Sequence, residues 1–165
     1  MDTKTIIVTL VTDRTQADVE RVKALAAKGF AAMTSDEQAE WLAGMKGAYN
    51  AADLNRVGTA LNYLAARLSS ICGKSITWTA KTDWAVTDII TASQAAEYRQ
   101  QIQDIRDALA YPAGTPDVPQ LARLTYIGAN DIERILALCE DLIVNVAKSF
   151  RHTGAAECAA GGLLT

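Results

Sequence analysis

The chain is short of most of what catalysis and membrane insertion need. It has one histidine, His152, so any Ser/His/Asp or Cys/His site would have to be built around that single residue. His152 follows Arg151 near the end of a helical segment, where a cation meets the carbonyl end of the helix dipole, and this accounts for it without chemistry. Cysteine is scarce too. Cys72, Cys139 and Cys158 are odd in number, far apart and in no CxxC pair, a pattern of free buried thiols rather than a disulfide framework or metal site. No apolar run approaches the ~20 residues that span a bilayer, which excludes membrane insertion. With 16 basic against 19 acidic residues, interleaved along the chain, there is no electrostatic footprint for nucleic acid.

What is present is helical. In 165 residues, half of them hydrophobic, there is enough apolar material for one sizeable core. Thr15 with Asp18 forms a capping box ahead of Val19, Val22 and Leu25, and Gly29 stands where a helix should stop. Thr34 to Glu37 opens a second, short helix carrying Trp41, Leu42 and Met45. Asn50 with Asp53 opens a long one whose seam is Leu54, Val57, Leu61, Leu64, Leu68 and Ile71, closed by Gly73. Thr91 caps a fourth, with Ala95, Tyr98, Ile102, Ile105 and Leu109. A fifth carries Ile132, Ile135, Cys139, Leu142, Val146 and Phe150. Seams with steps of three and four predict helices packed at about 20°. The expected fold is mostly α, an antiparallel bundle of about five helices.

Two stretches read as extended. Thr5 to Val11 is β-branched without a helical period, and Ser75 to Thr79 alternates in period two, so residues 5–11 and 75–79 are expected as a short β element. The organisation that follows is an arm over 1–12, a helical domain over 13–152 and a tail of small residues over 153–165. The helical domain contains an internal likeness. Asp53-Leu54-Asn55-Arg56 lines up with Asp131-Ile132-Glu133-Arg134, each opening a long helix, which suggests a duplicated unit over 13–73 and 83–152. Asp53, Arg56, Asp131 and Arg134 are therefore the candidate structural motif, either pairing within a helix or cross-linking the two halves.

Several segments resemble a module of phages and prophages of gut Firmicutes. They are Asp13 to Val19, Trp41 to Asn50, Asp53 to Val57, Thr82-Asp83-Trp84, Leu124-Thr125-Tyr126 and Ala129 to Ile135, with Trp41 to Val57 the most specific. One departure is Ile90, where the family pattern has proline. The resemblance implies a virion structural protein, often tail-associated, with no catalytic residues and no cofactor. It further implies other phage structural proteins as partners, a homo-oligomer, and a virion location after synthesis in the bacterial cytoplasm. In that setting Ile6, Val8 and Leu10 of the arm, with Trp78 and Trp84, are the candidate interface residues. An alternative is a receptor- or carbohydrate-binding module at a tail tip. It would require Trp78, Trp84 and Tyr126 to share one exposed concave face near Asp83 or Asp88 and stack on a host-surface glycan.

Overall fold

The computed structural model describes Ile7 and residues 9–161, with side chains as far as residue 150. The chain is mostly helical: α1 (Gln16–Lys28), α2 (Ser35–Ala43), α3 (Ala51–Cys72), α4 (Ala92–Asp107) and α5 (Tyr126–Gly161). Single 3-10 turns lie at Phe30–Ala32 and Leu121–Arg123. Local chemistry sets the starts and stops. Thr15/Asp18, Thr34/Glu37, Asn50/Asp53 and Thr91/Gln94 all form reciprocal capping boxes, each satisfying two otherwise orphaned amides. Gly73 ends α3 in the left-handed conformation, with φ 64°, that only glycine adopts without strain.

Helices α3, α4 and α5 pack on one another around the main core. Val57, Leu61, Leu64 and Leu68 of α3 meet Ile102 and Ile105 of α4 and Ile132, Ile135, Leu136, Cys139 and Ile143 of α5. A satellite cluster of Leu25, Met33 and Met45, with Val22 and Trp41 against it, holds α1 and α2. Surface pairs such as Arg21–Glu40 at 2.7 Å also join these two helices, but exposed ion pairs contribute little beside this burial.

The expected antiparallel arrangement is not what forms. Arg56, near the start of α3, reaches Glu133 near the start of α5, and Arg67, further along α3, reaches Glu140 further along α5. The two helices therefore run in the same direction. Tyr98 in the first half of α4 bonds Tyr49 just before α3, so α4 is aligned with them. Parallel neighbours need long returns, and the chain supplies two. An extended chain covers about 3.3 Å per residue against 1.5 Å in a helix, so each return easily spans the helix before it. The first strap runs back along α3, pairing Ala80 with Asn62 and then Trp84 with Asn55. The second runs back along α4, pairing Pro116 with Arg106 and then Val118 with Arg99.

The expected β element is also absent among the described residues. Residues 75–79 are extended but pair with no strand. Of the stretch 5–11, Ile6 and Val8 lie outside the described residues, while Leu10 closes a turn onto Ile7, and both pack against the main core. The segment 153–165, read from sequence as a tail, is helical as far as Gly161, since α5 continues unbroken. No helix among the described residues is long and apolar enough to cross a membrane.

Candidate functional site

The most strongly determined polar feature lies at the end of the bundle where α3 and α5 begin. Arg14 enters from the segment before α1, and its side chain is 2 % exposed. Its Nη2 donates to Asp53 Oδ1 at 2.8 Å and to Glu133 Oε1 at 2.6 Å. Arg56 donates to the same two carboxylates, through Nε to Glu133 Oε2 at 3.0 Å and through Nη2 to Glu133 Oε1 at 2.7 Å and to Asp53. Glu133 Oε2 also accepts the Val11 amide at 2.6 Å, and Asn130 exchanges two bonds with the Arg14 backbone. Two guanidiniums thus meet two carboxylates. Burial works against the Arg56 charge, yet Glu133 and Asp53 outweigh it and hold its pKa above the ordinary range.

This network gathers half of the candidate motif. Asp53 and Arg56 are in it; Asp131 and Arg134 are not, and Arg134 is exposed. Their places are taken by Asn130 and Glu133, one residue before each, and by Arg14, which comes from the first half but has no part in the Asp53/Asp131 alignment. Capping logic alone explains Asp53, whereas Glu133 has no local role and could be found only through its partners.

Beside the network, Tyr49 and Tyr98 share a hydrogen bond of 2.6 Å between hydroxyls, and burial raises the pKa of both. Cys139 is likewise pushed up by burial, to about 11 from an ordinary 9.0. The folded thiol keeps its proton to about pH 11 while the unfolded one loses it near 9.0, so its stabilisation is whole below pH 9 and is lost as pH climbs through that window. The loss from this thiol is on the order of 2 kcal/mol, and the tyrosines add to it at higher pH. Urea midpoints measured from pH 7 to 11 are expected to be level to about 9 and then to fall.

The candidate interface residues are scattered. Leu10 packs on the main core, and Ile6 and Val8 lie outside the described residues. Trp78 is half-buried, with its Nε1 donating to Asp104 Oδ2 at 2.7 Å. Trp84 is only 7 % exposed, with the Lys81 ammonium 4.9 Å from its ring centroid. Trp78, Trp84 and Tyr126 line three different hollows, so no shared stacking face is assembled. Asp88 is used locally, accepting from the Ala85 amide to close a turn.

The exposed apolar residues are others. Leu42 is 75 % exposed at the end of α2, and Val86 and Ile89 are 93 % and 89 % exposed on and beside the turn that Asp88 closes. Leu42 and Val86 rim a hollow of about 410 Å³ floored by Val22, Trp41 and Met45. Sequence pattern pointed to Trp41 and Met45 only as a helix face, and Val86 sits in a loop with no period to reveal it. Among the described residues no group of three or more His, Cys, Asp or Glu is placed to hold a metal ion. No protein-family model matches the chain, and neither a curated protein nor a solved structure does.

Proposed function

We propose that the chain is a non-enzymatic structural or assembly module of a phage virion, tail- or baseplate-associated, that works through protein–protein contacts and self-associates. The observation that carries this reading is the apolar hollow rimmed by Leu42 and Val86. Large aliphatic side chains this exposed around an apolar floor are what a docking surface presents, with Trp41 in the position of an anchor. The buried carboxylates Asp53 and Glu133 are held in reciprocal ion pairs, which suits a role in holding helices rather than in proton transfer. The sequence resemblance supplies the virion setting.

The test is association in solution. Leu42→Glu and Val86→Glu change exposed side chains, so both variants should retain the wild-type circular dichroism and melting temperature. Light scattering should show the wild type above its 17.7 kDa monomer mass and both variants shifted towards it. Equal masses for all three proteins would remove this surface from the proposal.

A further inference from the structure

The hollow rimmed by Leu42 and Val86 differs in one respect from those lined by Tyr126, Trp78 and Trp84. No charged side chain lines it. The other three all carry charges, among them Lys23, Asp107 and Glu97. A charged peptide segment therefore finds nothing to pair with between Trp41 and Val86. A two-fold pair of identical chains is a different case, because it sets one surface against itself. Any charge near the axis would meet its like, and an uncharged lining is the kind that carries no such penalty.

One polar group does belong to this hollow. Asn50 spends its Oδ1 on the Ala52 and Asp53 amides that it caps, while its Nδ2 meets no acceptor of the protein. That Nδ2 lies beside Gly44, another lining residue, and is not sealed from solvent, so a partner's oxygen can reach it. The matching occupant is apolar and brings a hydrogen-bond acceptor.

The chain carries such a segment next to the hollow. Ala85 and Asp88 close a turn on each other, the Asp88 amide bonding the Ala85 carbonyl and the Asp88 carboxylate taking the Ala85 amide. This closure engages the one charged side chain of the turn and leaves the Val86 and Thr87 carbonyls without a donor in the protein. Val86 already rims its own hollow, whereas Ile89 packs against neither core cluster and is almost wholly exposed. Resting on the self-association proposed above, we infer that two copies pair about a two-fold axis beside Val86. Each seats Ile89 against Leu42 and the apolar floor of the other's hollow, and a Val86 or Thr87 carbonyl accepts from the partner's Asn50 Nδ2. Reciprocal insertion closes the pair, so association stops at two chains.

The test is a mixing experiment read by light scattering. The wild type should stop at about twice the 17.7 kDa chain mass. Leu42→Glu and Ile89→Lys, both at exposed positions, should each keep the wild-type circular dichroism and each run as a monomer. Mixed in equal amounts, the two variants should recover the dimer mass. The introduced carboxylate of one then meets the introduced ammonium of the other, while the second contact keeps its native Leu42 and Ile89. A wild type that associates while Ile89→Lys leaves its mass unchanged, or while the mixture stays monomeric, overturns the seating of Ile89 and leaves the hollow's self-association standing. A wild-type mass that climbs past two chains with concentration overturns the two-fold closure. A monomeric wild type overturns the self-association itself, and this inference with it.

Discussion

Replacing Glu133 with alanine is expected to destabilise the fold by about 3–5 kcal/mol, the cost of leaving buried charges without their partner. Glu133 is fully buried and accepts from Arg14, Arg56 and the Val11 amide. Its loss leaves Asp53 alone against two guanidiniums, one of them with a side chain 2 % exposed. Hydrophobic truncations in the same core would leave cavities, but not an uncompensated charge. Glu133→Gln should recover little, since an amide cannot offer two acceptor oxygens to two guanidiniums. The measurement is urea unfolding, with the midpoint lowered and the slope unchanged. Arg134→Ala, at an exposed position in the next residue, is the control and should stay within about 0.5 kcal/mol of wild type. A Glu133→Ala loss no larger than that control would show the network is not what secures this end of the bundle.

The second large effect runs against helix propensity. Gly58 lies inside α3, where exchange for alanine ordinarily stabilises by about 0.5–1 kcal/mol. Here a Cβ would stand 2.3 Å from the Lys81 carbonyl oxygen, a backbone atom of the clamped strap. The strap cannot withdraw without stretching the four bonds that Asn55 and Asn62 make to it, on either side of the contact. At roughly 0.5–1.5 kcal/mol for each bond weakened, Gly58→Ala should be net destabilising by about 2–3 kcal/mol. Hydrogen exchange should locate the damage, with the Ala80 and Trp84 amides losing protection while the α5 core keeps its own. Greater stability in Gly58→Ala would show that the strap is loosely held.

The element boundaries were legible because they rest on local chemistry. Thr15 with Asp18, Asn50 with Asp53, and the stops at Gly29 and Gly73 are contained within a few residues, and the seams from Val57 to Leu68 and Ile132 to Cys139 follow from helical periodicity. Direction was not legible, because an apolar stripe packs equally well on a neighbour running either way. It is set by the straps, whose anchors are the isolated polar residues Asn55 and Asn62. The alternation over residues 75–80 was real but belongs to another structure. Ile76, Trp78 and Ala80 face the core and Ser75, Thr77 and Thr79 face outward, yet the strap lies on helices instead of a second strand. The Asp53/Asp131 alignment failed for a related reason. α5 begins at Tyr126, well before Asp131, so this residue falls past the first turn and cannot take the capping role of Asp53, while Glu133 turns towards Arg14 and Arg56.

Same-direction packing has an electrical consequence. In an up-down bundle neighbouring macrodipoles largely cancel, whereas those of α3, α4 and α5 add, giving the bundle a positive end and a negative end. Asp53, in the first turn of α3, sits at the positive end, so its charge eases the convergence of helix N-termini as well as answering two arginines. The bundle therefore has a built-in polarity, felt most by charges placed within the first and last turns of its three long helices.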